Sequence, residues 1–286
     1  MSVPLRTVAV VGAGTMGLGI AQVCASSGFM TLLFDVRKEQ VASALRSIEK
    51  NLSLAVEKGK MTEHQKTETL TRVRPVNQLS DLKADLIIEA AVENLDLKRT
   101  LFADLEENNA NTAILATNTS SISISKIAEG LKDPTRCIGL HFFNPADRMK
   151  LVEIISGDLT KPSVVEVMQH FSKSIGKTAV LAKDSPGFIV NRVARHYYVE
   201  SLKMLEENVT DVATIDGLMR SAGFKMGPFE LMDLIGVETN LAVTTSVYEG
   251  FHRNPKFKPS RIQQDLVRDG HFGRKTGKGF YEYSSK

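Results

Sequence analysis

Residues 7–35 read TVAVVGAGTMGLGIAQVCASSGFMTLLFD, and the placing of the glycines decides how the segment folds. From Thr7 to Phe34 there is no charged residue, so a signal peptide or membrane span has to be weighed. Gly12, Gly14, Gly17, Gly19 and Gly28, with Gln22, Ser26 and Ser27, interrupt the apolar run. Those breaks fit a strand, a turn, a helix and a second strand better than one continuous span. Thr7–Val11 is a β-branched buried strand, Thr15–Ser27 a helix closed by Gly28, and Thr31–Phe34 a strand that ends at Asp35.

Outward from there the alternation continues. A long amphipathic helix covers Arg37–Lys60, with Val41, Leu45, Ile48, Leu52 and Val56 on one face. Strands are expected at Asp85–Glu89, Thr112–Thr117, Arg136–Leu140, Leu151–Ile155 and Lys177–Leu181, with helices at Leu95–Asn108, Ile122–Leu131 and Ser163–Ser174. Strands alternating with helices predict an α/β fold, a mostly parallel sheet with helices on both faces. Beyond Lys183 the pattern turns helical, over Pro186–Glu207, Asp211–Ala222 and Gly227–Gly250, until a short strand-like Gly279–Tyr283. Two domains follow: a Rossmann-like residues 1–183 and an all-α residues 184–286.

The turn Gly12-Ala13-Gly14-Thr15-Met16-Gly17 is built for a dinucleotide. Gly12 permits the tight turn, Gly14 lets backbone approach a pyrophosphate, and Gly17 lets helix pack on strand. The helix start at Thr15 and Met16 offers free N–H groups to phosphate. Asp35, closing the second strand, can accept hydrogen bonds from the adenosine ribose, and its charge opposes a 2′-phosphate. NAD is therefore expected over NADP, although Arg37 could swing toward a 2′-phosphate or simply be solvated.

The 286 residues carry a net charge of +3, which argues against a nucleic-acid binder. Only Cys24 and Cys137 are present; a disulfide framework is excluded, both read as buried packing, and a reducing, cytoplasmic home is favoured. With no C-x-x-C or H-E-x-x-H, no metal site is expected, and no second membrane candidate appears.

Further motifs share one order along the chain: Asn118-Thr119-Ser120-Ser121, His141-Phe142-Phe143-Asn144-Pro145, Met149-Lys150-Leu151-Val152-Glu153, Asp184-Ser185-Pro186-Gly187-Phe188-Ile189-Val190-Asn191-Arg192, Met226-Gly227-Pro228-Phe229-Glu230-Leu231 and Phe272-Gly273-Arg274-Lys275-Thr276-Gly277. Together they resemble the (3S)-3-hydroxyacyl-CoA dehydrogenases over essentially the whole chain. Oxidising a secondary alcohol needs a base for the hydroxyl proton and an acceptor for the hydride, and histidine titrates near neutrality. The resemblance implies that His141 is the general acid/base and Glu153 its orienting partner, and that Ser120 and Asn191 contact the substrate. It also implies NAD contacts from Glu93, Lys98, Ser120, Asn144 and Lys275, a CoA contact from Lys58, and a homodimer. Residues 251–286 carry nine Lys or Arg against three Asp or Glu, a local surplus that suits the phosphates of NAD and CoA.

Taken singly, each residue has a bland reading: His141 as hydrogen-bonded structure, Ser120 or Ser121 as a helix cap, Glu153 as a solvated strand end. Their joint occurrence behind a dinucleotide loop favours chemistry. His64, His170, His196, His252 and His271 read as surface or structural. Phe142 and Phe143 are either core or a wall beside the substrate. Ala146-Asp147-Arg148 departs from the family pattern and reads as a solvent-exposed turn. The expected reaction interconverts short-chain 3-hydroxyacyl-CoA and 3-oxoacyl-CoA. A sugar-acid dehydrogenase without CoA and a non-catalytic NAD-binding protein remain as alternatives.

Overall fold

Short apolar strands with both faces buried have to sit in the middle of a sheet, and the computed structural model, described over residues 5–283, arranges them so. In chain order the first unit contains β1 (Thr7–Val11), α1 (Thr15–Ser26), β2 (Met30–Phe34), α2 (Lys38–Glu57), α3 (Glu63–Arg72), β3 (Val73–Pro75), β4 (Leu86–Glu89), α4 (Leu95–Asn108), β5 (Ile114–Thr117), α5 (Ile124–Ala128), β6 (Cys137–Phe142), β7 (Leu151–Ser156), α6 (Pro162–Ser174) and β8 (Thr178–Lys183). The sheet order is β3-β2-β1-β4-β5-β6-β7-β8. The pairs from β3 to β6 and the pair β7–β8 are parallel, and β6–β7 is antiparallel. The chain leaves β1 toward β2 and β3, then returns to place β4 on the other side of β1. That reversal opens the crevice at the carboxyl ends of β1 and β4 where α/β sheets take their ligands.

Beneath this edge Val8, Val10, Leu33, Leu86, Ile88, Ile114 and Ala116 form the core with Ile20 of α1 and Ile48 and Leu52 of α2. The face expected from the spacing of α2 is the buried one, with Val41, Ile48 and Leu52 inside and Leu45 partly so. Cys24 and Cys137 are free and buried; burial pushes the Cys24 thiol up to about 12 and the Cys137 thiol upward as well.

Two elements of this unit were not anticipated. α3 has little apolar content, but Thr62 and Gln65 form a reciprocal capping box at its start, a T-x-x-Q signal readable in the sequence. β3 is a three-residue edge strand containing Pro75, and an edge is where a strand tolerates a missing donor.

The second unit begins at Pro186, two residues beyond the expected boundary. Asp184 belongs to the first unit by its bonds: its Oδ2 accepts from the Ser123 hydroxyl at 2.7 Å and the Ser125 N–H at 2.8 Å, at the start of α5. The second unit holds α7 (Val190–Glu206), α8 (Val212–Ser221), α9 (Pro228–Ile235), α10 (Val237–Gly250) and α11 (Arg261–Arg268). The single helix expected over Gly227–Gly250 is two helices, because Gly236 stands at φ 105°, where the right-handed helix cannot continue.

The expected strand Gly279–Tyr283 is instead a tail with isolated bridges, held by two buried carboxylates. Asp216 accepts from the N–H groups of Phe229 and Glu230, each at 2.9 Å, and from the Tyr281 hydroxyl at 2.8 Å. Asp233 accepts from the N–H groups of Phe280 and Tyr281, each at 3.0 Å, and from the Tyr283 hydroxyl at 2.9 Å. Burial and the bond to Asp233 push the Tyr283 phenol up to about 12, so it stays a donor. The motif at residues 226–231 and the tail at residues 280–283 are thus fastened by Asp216 and Asp233. Among the described residues no helix is long and apolar enough to cross a membrane.

Asp233→Ala strands two N–H groups and a phenol, and is expected to cost about 2–3 kcal/mol of stability. Urea unfolding of the full chain measures this; an unchanged midpoint would contradict the role given to Asp233.

Candidate active site

The glycine turn fits a pyrophosphate for steric reasons visible at each position. Gly12 lies at φ 101°, and a Cβ there would come 2.5 Å from the Ala90 carbonyl oxygen. At Gly17 a Cβ would stand 1.8 Å from the Gly12 carbonyl oxygen, so only glycine allows α1 to pack on the turn. A Cβ at Gly14 would meet nothing within 4 Å, so that position borders open space. Gly14 is the N-cap of α1 and supplies no side-chain hydrogen bond to the first turn, so no capping side chain competes for the N–H groups at Thr15 and Met16. Asp35 fixes the geometry. Its Oδ2 accepts from Ala13 N–H at 2.8 Å and its Oδ1 from Arg37 N–H at 2.9 Å. The Arg37 guanidinium is largely exposed and lies 3.9 Å from Asp35.

His141 and Glu153 are brought together by strand pairing. They are direct partners in the antiparallel β6–β7 register, and His141 Nδ1 lies 2.7 Å from Glu153 Oε2. His141 is 6 % exposed and Glu153 1 %, so Glu153 is no solvated strand end. A carboxylate can only accept, so the Nδ1 proton points at Glu153, and in the neutral form of the ring Nε2 carries the lone pair. The Phe143 ring packs 4.6 Å from the imidazole, centroid to centroid, beside the histidine, while Phe142 is core.

The loop carrying Ser120 is tied to the same edge. Asn118 Oδ1 accepts from the Phe142 N–H at 2.8 Å, which joins it to the residue after His141. Glu93 Oε1 accepts from the Ser120 N–H at 3.1 Å, the Ser121 hydroxyl at 3.2 Å and the Thr119 hydroxyl. Lys98 is 1 % exposed; its ammonium lies 2.6 Å from Glu89 Oε1 and 3.4 Å from Glu93 Oε2. Glu89 and Thr117, absent from the sequence-based candidates, lie at the hub. A carboxylate ending the apolar run Leu86-Ile87-Ile88 was the signal that could have marked Glu89.

Asn144 is exposed in the loop between β6 and β7. Lys177 clasps that loop, donating to the carbonyls of Ala146 at 2.6 Å and Met149 at 2.8 Å; burial lowers its ammonium pKa. The expected exposed turn at Ala146-Asp147-Arg148 needs correction. Arg148 is exposed, but Ala146 is 2 % exposed and packs where a Cβ on Gly19 of α1 would lie 3.1 Å from its methyl.

The remaining candidates lie apart from this cluster in the chain. Lys58 is exposed at the C-cap of α2. Asn191 opens α7 in the second unit, where its carbonyl accepts from Arg195 Nε at 3.1 Å. Lys275 pairs with Glu238 in the same unit and lies 5.3 Å from the Phe272 ring centroid. Among the described residues no group of three or more His, Cys, Asp or Glu could hold a metal ion.

The family model described as 3-hydroxyacyl-CoA dehydrogenase, NAD binding domain, matches residues 7–185, and that for the C-terminal domain matches residues 187–283. A 3-hydroxyadipyl-CoA dehydrogenase of Escherichia coli is 48% identical over all of this chain, which spans 61% of that relative's length. A 3-hydroxybutyryl-CoA dehydrogenase of Bradyrhizobium diazoefficiens is 40% identical, covering 99% of this chain and 97% of its own. The crystal structure of (S)-3-hydroxybutyryl-CoA dehydrogenase from Ralstonia eutropha superposes with a TM-score of 0.95 at 39% identity, over 99% of this chain and 100% of that one. With both domain models matched in order, the chain belongs to the 3-hydroxyacyl-CoA dehydrogenase family and its first unit is that family's NAD-binding domain.

Proposed function

We propose that the protein interconverts (3S)-3-hydroxyacyl-CoA and 3-oxoacyl-CoA with NAD, on short chains such as 3-hydroxybutyryl-CoA and acetoacetyl-CoA. The observation that carries this is the buried His141–Glu153 pair, 2.7 Å apart at the sheet edge that also bears the glycine turn and the Ser120 loop.

Gly12, Gly14, Thr15, Met16 and Gly17 would hold the pyrophosphate, Asp35 the adenosine ribose, and Glu93, Lys98, Asn144 and Lys275 further parts of NAD. When bound, NAD supplies the acceptor for the C3 hydride. His141 Nε2 takes the 3-hydroxyl proton, and Glu153 stabilises the imidazolium that results while keeping the ring in one tautomer. In the reducing direction the same nitrogen returns the proton. Ser120 and Asn191 hold the reacting oxygen and the thioester carbonyl through hydrogen bonds that strengthen as charge develops. Lys58 meets the CoA moiety.

The same reading includes a homodimer built through the helical unit, which exposes Leu218, Phe224, Leu234 and Ile235. A cytoplasmic setting accords with two free, buried cysteines.

Following NADH absorbance with acetoacetyl-CoA tests the reading. Steady oxidation is expected, and its absence would refute the assignment. His141→Ala should lose about 10²- to 10⁴-fold in kcat; full activity in that variant would remove His141 from the mechanism. For the cofactor, KM is expected to be at least about tenfold lower for NADH than for NADPH, equivalent to about 1.4 kcal/mol. Asp35→Ala should narrow that gap, and an unchanged ratio would show that Asp35 does not select.

A further inference from the structure

Immediately below the sheet edge, two polar residues with no part in the reaction above are fully buried, Glu89 and Thr117 at 0 % exposure each, beside Lys98 at 1 %. Glu89 and Thr117 are the last residues of β4 and β5 and pair in register. The residues behind them, Leu86, Ile87, Ile88, Ile114, Leu115 and Ala116, are apolar and buried. Polarity thus begins at the final residue of each strand. A buried ion pair costs several kcal/mol per ion in lost hydration, and an apolar pair of similar volume is often neutral or better. Sheet stability alone does not account for charges here.

We propose that Glu89, acting through Thr117, is a positioning residue for Ser120. The inference rests on the part given to Ser120 in the reaction above. Hydrogen-bond direction makes the connection specific. Glu89 Oε1 is filled by the Ala91 N–H and the Lys98 ammonium, each at 2.6 Å. Its Oε2 accepts the Thr117 hydroxyl at 2.7 Å. A carboxylate can only accept, so the one Thr117 proton is committed to Glu89 and its lone pairs turn outward. One of them takes the Thr119 N–H at 3.2 Å.

Thr119 repeats the device. Its hydroxyl donates to Glu93, and its oxygen accepts from the N–H groups of Ile122 at 2.9 Å and Ser121 at 3.3 Å. Ser120 therefore stands between two anchored residues, with its own N–H on Glu93. Lys98 closes the ring from Glu93 back to Glu89. Because Glu89 also holds the Ala91 N–H beside Gly12, one carboxylate sets both the loop against the glycine turn and the loop that presents Ser120.

A double-mutant cycle tests this. Thr117→Val keeps the shape and removes both hydrogen bonds; Thr117→Ser keeps them. Thr117→Val and Glu89→Gln are expected to lower kcat for acetoacetyl-CoA reduction about ten- to a hundredfold, with little change in KM, the mark of an interaction made in the transition state. Thr117→Ser should retain near wild-type kcat. In a Ser120→Ala background, Thr117→Val should have little further effect. A merely structural Thr117 would give the same fractional loss in both backgrounds, and that additive result would overturn the proposal while leaving the activity standing. Undiminished kcat in Ser120→Ala would overturn it together with the role of Ser120. A wild-type protein that turns over no acetoacetyl-CoA would overturn the proposed function, and the inference with it.

Discussion

The site depends on one reversal of chain direction. From β1 to β6 every paired strand runs the same way, and a return in that direction takes a dozen or more residues of crossover. β7 runs back instead, so two residues only 12 apart in sequence, His141 and Glu153, become direct cross-strand partners. The pair is then buried on a rigid ladder between Leu140 and Phe142 on one strand and Val152 and Ile154 on the other. A side chain held by a loop would have to be ordered separately; one held by a ladder is ordered by folding.

The rest of this sheet edge is aligned by the parallel register. Val11, Phe34, Glu89 and Thr117 end four neighbouring strands at one level, so the turns that follow them rise side by side. Each turn is pinned to its neighbour rather than to itself. Gly12 N–H reaches the Phe34 carbonyl, Ala13 N–H reaches Asp35, Ala90 N–H reaches the Val11 carbonyl, and Asn118 N–H reaches the Glu89 carbonyl. Side chains extend the stitching through Glu89, Glu93 and Asn118.

Much of this was legible before any coordinates. Buried β-branched runs, the glycine spacing and the terminal Asp35 specify a strand, turn, helix and strand by local physics. They are the parts that agree most closely with the structure. The pairing of His141 with Glu153 could not be derived that way, because periodicity carries no sign for strand direction; only resemblance connected them. Glu89 was hidden for a similar reason. A charge after an apolar run reads as a surface residue, and burial by paired neighbours is a tertiary fact. The split at Gly236 and the pinning of the tail by Asp216 and Asp233 were missed alike, since α9 and α10 share an apolar character that runs through the break.

That fastening of the tail also sets an order of events during synthesis. The buried residues of this core cluster in the first unit run no later than Ile175, with the partly buried Ala179 packed against them, so the cluster can close while the helical unit is still being made. The second unit has no such freedom. α8 and α9 bury Asp216 and Asp233, and the groups that satisfy those carboxylates include Phe280, Tyr281 and Tyr283. Until the ribosome has passed Tyr283, two carboxylates in a forming core lack their donors, and burying them would be costly. The first unit is thus free to fold cotranslationally, whereas the helices that follow must wait for their last segment before they can settle.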